Sequence, residues 1–163
     1  MKARAGTGKT TTIKNAFEYA PEDRVLYAVF NKRNQKEAEE KITDSRVEVK
    51  TLHSLGFSFI KRLWSNAKPD DEVEVDRAAV ALRDLNAADQ SPERIASVVK
   101  LVGFAKNTCI HPSLAALERI SEEQDIDANL DAVMAVMDLS RNRDLAGRIS
   151  FNDMVWLPVA LNI

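Results

Sequence analysis

The sequence predicts an α/β protein in which a parallel sheet carries an inserted or appended all-helical subdomain. Three observations predict it. Residues 1–65 alternate short apolar runs with helical patterns, the rhythm of strand–helix units in a parallel sheet. Beyond about residue 70 the apolar patterns are mostly helical in period. Near the start, Ala3-Arg4-Ala5-Gly6-Thr7-Gly8-Lys9-Thr10 has the small residues and the Lys-Thr pair of a phosphate-binding loop, a motif that joins a strand to a helix.

Composition narrows the class further. The 163 residues are 45% apolar and 29% charged, which excludes a disordered, collagen-like or disulfide-scaffold chain. Cys109 is the only cysteine, so neither an intramolecular disulfide nor a Cys-x-x-Cys site is possible. A cytoplasmic setting is expected, or a nucleoid-associated one in a bacterium. A net charge of −2 means that any surface for nucleic acid must be a local patch. The longest apolar runs, residues 25–30 and 155–161, fall far short of the roughly 20 residues of a membrane helix. No membrane partner is expected.

Along the chain, residues 9–20 place Ile13, Ala16, Phe17 and Ala20 on one helix face, and Pro21 ends it. Residues 24–30 (RVLYAVF) read as a buried strand, being short, nearly all apolar and rich in Val, Tyr and Phe. A polar helix over 32–42 follows, then residues 46–51 alternate Val47 and Val49 with charges as a half-buried strand does. Leu52, Leu55, Gly56, Phe59, Ile60 and Leu63 form one stripe of a helix ending near Trp64. Residues 65–74 read as a polar linker. Beyond it, Val75, Ala78, Ala79, Leu82 and Leu85 mark one helix face, and Ile95, Val98, Val99, Val102 and Ala105 another. Ser91-Pro92-Glu93 is a helix start with a capping oxygen, a first-position proline and an acid at the positive end. Helical patterns follow at 113–123 and 127–142. Ser150-x-x-Asp153 resembles a capping box, opening a segment that Pro158 must kink or end. The organisation expected is therefore a nucleotide-binding part over 1–69, a helical subdomain over 70–147, and a return to the first part over 148–163.

The loop's spacing follows from its chemistry. Small residues let successive backbone N–H groups turn inward around a β-phosphate, and the helix beginning near Gly8 aims its positive end at the same anion. Ala5, Gly6, Thr7, Gly8 and Thr11 belong to this cradle. Lys9 would reach the β- and γ-phosphates and the Thr10 hydroxyl would ligand Mg²⁺, so ATP and Mg are the expected cofactors, with Lys9 and Thr10 as the catalytic pair. An acidic strand motif to complete the Mg²⁺ site is missing. The only formal candidate, Val133-Met134-Ala135-Val136-Met137-Asp138, sits in a helical pattern and reads better as core. A chain without that acid is expected to hydrolyse nucleotide poorly.

Three stretches in order resemble one family, the UvrD/Rep/PcrA-type superfamily 1 DNA helicases. Residues 3–12 (ARAGTGKTTT) are similar to its nucleotide loop, Val29-Phe30-Asn31-Lys32 to its strand-end motif facing single-stranded DNA, and Thr51-Leu52-His53-Ser54-Leu55-Gly56 to its Thr-x-His-Ser segment beside the same path. Near the end, Phe151-Asn152-Asp153-Met154 resembles the segment that returns the family's chain from a helical insertion. The resemblance covers about residues 1–65 and 148–163. It implies a P-loop NTPase of RecA-like fold, ATP-dependent translocation on single-stranded DNA in the full-length protein, and DNA contacts from Phe30, Asn31, Lys32, Thr51, His53 and Ser54. It also implies a piece of a longer motor: the strand before the loop would lie upstream of Met1 and the Asp-Glu motif just past Ile163, leaving the piece itself inactive.

Physically, both DNA segments follow strands, at the carboxyl edge where open parallel sheets bind ligands. Phe30 offers a ring for stacking, Lys32 a charge, and Asn31, Thr51, His53 and Ser54 polar contacts. Taken singly, Phe30 also suits a core and His53 a helix cap. The Lys32-Arg33-Asn34-Gln35-Lys36 run is followed at once by acids, as on a solvated polar helix. Two other classes stay open: a kinase-like phosphotransferase with the helical region as its lid, and a non-catalytic helical interaction module with a relic loop. Oligomeric state is not legible.

Overall fold

Among the described residues the longest strands are five residues. In the computed structural model, which describes residues 9–109, 112–142 and 147–163, the chain divides into two compact units, Met1–Leu55 and Gly56–Ile163.

The first unit holds α1 (Lys9–Phe17), β1 (Val25–Val29), α2 (Lys32–Lys41) and β2 (Val47–Thr51), and α3 (Leu52–Leu63) begins in it. β1 and β2 are parallel, in a register that pairs Val25 with Val47, Tyr27 with Val49 and Val29 with Thr51. Alternation puts Tyr27, Val29, Val47 and Val49 together, where they pack with Ala38 and Ile42 around α2. The opposite face leaves Leu26 and Ala28 exposed.

The second unit holds β3 (Lys68–Pro69), α4 (Val73–Asp84), α5 (Pro92–Asn107), α6 (Leu114–Gln124), α7 (Leu130–Arg141), β4 (Arg148–Ile149) and α8 (Asp153–Ala160). α5 packs against α4, α6, α7 and α8. Val98, Leu101, Val102 and Ala105 of α5 meet Ala78, Ala81 and Leu82 of α4 and Val133, Val136 and Met137 of α7 in one buried cluster. Ser91, Ser113 and Asn129 cap α5, α6 and α7, each side-chain oxygen accepting the N–H three residues on. The Ser150/Asp153 capping box forms reciprocally: Ser150 Oγ accepts the Asp153 N–H (3.1 Å) and Asp153 Oδ2 accepts the Ser150 N–H (3.0 Å). α8 ends two residues past Pro158.

The expected RecA-like P-loop NTPase sheet does not form among the described residues. The strands make two separate two-stranded parallel sheets, β1–β2 and β3–β4, the second only a two-residue pairing, and the protein is mainly helical. The physical reason is that the sequence supplies only two runs of strand character. Its other apolar segments repeat every 3.6 residues and bury against each other rather than on a sheet. The α1 stripe shows the consequence, for Ile13 and Ala16 are exposed. The 65–74 segment also differs from a plain linker, since Lys68 and Pro69 pair with Arg148 and Ile149 and α4 begins at Val73. Residues 148–163 lie in the second unit, where Trp156 and Leu157 are core.

Helix α4 buries Ala78 and Leu82 as its apolar pattern suggests, but its inward face is rotated from the expected one. Val75 and Leu85 are exposed, whereas Glu74 and Arg77 are buried beside Val73, Ala78, Ala81 and Leu82.

Candidate functional site

Of the phosphate-loop residues, Ala5, Gly6, Thr7 and Gly8 lie outside the described residues. Lys9 and Thr10 open α1 and Thr11 follows, exposed, in its first turn. That turn contains no acidic residue, so nothing on it opposes an anion at the positive end of the helix. A phosphate group fits this end. For Mg²⁺ the fit is incomplete, because among the described residues no group of three or more His, Cys, Asp or Glu is placed to hold a metal ion. Asp138 lies exposed on helix α7, and Val133, Val136 and Met137 before it are core.

Arg46 fixes the other end of α1. Its guanidinium donates to the carbonyls of Phe17 (2.9 Å), Ala20 (2.9 Å) and Glu22 (3.2 Å), which ties the C-terminal end of α1 to the start of β2. The bond that Arg46 donates to Asp44 Oδ2, 2.8 Å away, raises the Arg46 pKa and lowers that of Asp44. The Phe17 ring meets Tyr27 edge-on at 5.8 Å between centroids. Sequence reasoning missed Arg46, because a side chain that caps carbonyls 24 to 29 residues earlier leaves no local signal.

The nucleic-acid candidates converge on the carboxyl edge of the β1–β2 pair. Pairing of Val29 with Thr51 sets Phe30, Asn31 and Lys32 and the start of α3 just beyond adjacent strand ends. Phe30 is 75% exposed, its ring open to water. Asn31 caps α2, its Oδ1 accepting the Asn34 N–H at 2.8 Å, and Lys32 is exposed on the first turn. Thr51 is buried, at 5% exposure, and caps α3: Thr51 Oγ1 accepts the Ser54 N–H at 3.1 Å, and Ser54 Oγ donates to the Thr51 carbonyl at 3.0 Å. Thr51 and Ser54 thus shape the turn into α3, and their hydroxyls are engaged in it. His53 is half-buried on the first turn of α3, and burial lowers its pKa, so the ring is neutral at pH 7. Chemically, this edge offers an exposed ring, one adjacent cation, the asparagine amide and a capped helix start. Those are the elements for stacking a base and holding a phosphate.

The second unit contains a polar cluster that sequence reasoning did not find. Lys106 is fully buried, and its Nζ donates to Glu74 Oε1 (2.5 Å), Asp153 Oδ1 (2.6 Å) and Ser140 Oγ (2.8 Å). Arg77 donates to Asp153 Oδ2 (2.7 Å), Ser140 Oγ (3.1 Å) and the Arg148 carbonyl (2.8 Å). Ser150 Oγ donates to Glu74 Oε1 at 2.6 Å. Burial pushes the Asp153 carboxyl up, but Lys106 and Arg77 outweigh it and hold the group below its ordinary range. Lys106 Nζ and Arg141 Cζ also lie 5.3 and 5.1 Å from the Trp156 ring centroid. With two cations and two anions the cluster is neutral, and it joins α4, α5, α7 and the start of α8. The only trace of it in the sequence was the Ser150-x-x-Asp153 box.

No protein-family model matches the chain. Among the described residues, no helix is long and apolar enough to cross a membrane.

Proposed function

We infer that this chain is the ATP-binding N-terminal part of a superfamily 1, UvrD-like DNA helicase. The observation that carries the reading is the β1–β2 register. It sets the Phe30-Asn31-Lys32 and Thr51-His53-Ser54 segments side by side, beyond the carboxyl ends of two parallel strands, in the order the family motifs require. Charge supports it as well: residues 1–55 hold eleven Lys and Arg against eight Asp and Glu, a net of +3 suited to polyanions.

On this reading Lys9 and Thr10 hold the ATP phosphates and Mg²⁺, which supply the energy of the complete helicase when bound. Phe30 stacks a base of single-stranded DNA, while Lys32 and the Asn31 amide contact its backbone. Neutral His53 serves as a hydrogen-bonding rather than a charged contact. Thr51 and Ser54 keep the α3 start in place.

Titration with a fluorescent ATP analogue tests the nucleotide half. Lys9→Ala should abolish binding that Lys50→Ala leaves intact, since Lys50 is engaged with Glu48 at 2.8 Å on β2. Equal loss in both variants, or in neither, rejects the site. For the DNA half, Phe30→Ala should weaken binding of a labelled single strand without changing binding of the analogue, and an unchanged DNA affinity rejects the edge assignment.

A further inference from the structure

The second unit has an acid-rimmed groove that the nucleotide and DNA reading does not use. α4 and α7 pack together, and Ala81, Asp84 and Leu85 of α4 line one side of a cavity of about 370 Å³ whose other side is Ala135, Asp138 and Leu139 of α7. The i, i+3, i+4 spacing on both helices makes each wall a continuous stripe. Its floor is apolar: Ala81 is buried, Ala135 and Leu139 are half-buried, and Leu85 leaves 45% of its surface in water. The rim is acidic. Asp138 has no ion-pair partner among the described residues, and Asp84 meets only Arg83, at 3.4 Å in an exposed pair that costs little to break. Residues 56–163 hold twelve Lys and Arg against seventeen Asp and Glu, a net of −5, so the field around the groove favours cations.

We propose that this groove docks an amphipathic helix of a partner protein, which seats one or two aliphatic or aromatic side chains between α4 and α7 and sets Lys or Arg within a turn on either side, against Asp84 and Asp138. The volume suits that occupant, lying at the lower end of the roughly 300–1,000 Å³ of binding cavities. Helices bind grooves through such i, i+3, i+4 anchors. The charge disfavours nucleic acid, whose phosphates both rim acids repel. The groove is separate in sequence from every residue of the β1–β2 edge, so the two assignments stand or fall independently.

Panning a phage-displayed library of helical peptides on the full chain provides the test, with affinities of the recovered peptides read by fluorescence anisotropy. The recovered sequences should share an apolar anchor flanked by Lys or Arg. Their affinity should fall at least about tenfold on the Asp84→Lys/Asp138→Lys chain, with a like loss on Ala135→Lys, which blocks the floor. Asp84 and Asp138 are exposed helix residues, so the double variant keeps its circular dichroism and melting temperature. The proposal is overturned if no peptide is enriched, if the winners are acidic, or if they bind the charge-reversed chain equally well. Sedimentation as a dimer that the double variant converts to monomer would assign the groove to a second copy instead and likewise overturn it.

Discussion

Among the described residues, Val29, Ala38 and Val49 make up the buried apolar cluster of the first unit, whereas twenty-one residues from Ile60 to Leu157 make up that of the second. The signs of charge also differ, +3 against −5. The first unit leaves Ile13, Leu26 and Phe30 exposed and gathers its candidate binding groups at one strand edge. The second gathers Ile60, Leu82, Leu101, Leu117, Met137, Trp156 and Leu157 in one core, although Val75, Leu85, Leu114, Phe151 and Val159 stay exposed, and it holds four of its charges inside, in an ion cluster. The two units therefore differ in kind: the first presents an exposed ring and polar groups at a strand edge, and the second is held together by a large apolar core.

The largest test of that contrast is Lys106→Met. Removing the buried ammonium strands Asp153 and Glu74 without their main partner, at a cost of about 3–5 kcal/mol. Both tryptophans, Trp64 and Trp156, belong to the second unit's core, so urea unfolding followed by their fluorescence should shift to a much lower midpoint. An unmoved midpoint would show that the cluster contributes nothing.

Next comes Gly56→Ala. A Cβ there would run into the backbone carbonyl of Met154, which cannot swing aside as a side chain does. About 1–3 kcal/mol of overpacking strain is expected in the same tryptophan transition, and a neutral result would refute the close approach of α3 to α8.

A smaller effect concerns acid. The Asp153 carboxyl titrates below its unfolded value of about 3.9, so the unfolded chain binds the extra proton first. Its contribution is therefore complete above about pH 5, a unit over the unfolded value, and is lost as pH falls through the folded value. Asp153→Asn should flatten the fall in melting temperature between about pH 5 and pH 2, and parallel curves for the two proteins would count against the linkage.

The smallest lies in the first unit. Asn31→Ala removes the α2 cap and should cost about 1 kcal/mol, read as earlier loss of helical circular dichroism with the tryptophan signal unchanged. A tryptophan shift would break the separation on which the comparison rests.

Much of the local structure was legible. The strands at 25–29 and 47–51 and the helices at 32–41, 92–107 and 130–141 follow from period and capping, because those signals act within a few residues. So did the Ser150/Asp153 box. The face that α4 buries was not, since Glu74 and Arg77 look like surface residues until Lys106 and Asp153, 32 and 76 residues away, neutralise them. Nor was Arg46, which caps carbonyls far upstream.

The candidate site divides in the same way. That Phe30, Asn31 and Lys32 end one strand and Thr51 another could be read directly from the sequence. Only tertiary structure decided that Thr51 would be buried as a cap while Phe30 stayed open. The sequence by itself determined the place of most helices and of β1 and β2, through local backbone chemistry and apolar period, but not the β3–β4 pairing or the start of α4 inside the expected linker. It did not determine how many strands join one sheet: the expected broad parallel sheet became two separate pairs. Sheet growth, helix rotation and ion burial each depend on groups distant in the chain, and their free energy exists only once those groups meet.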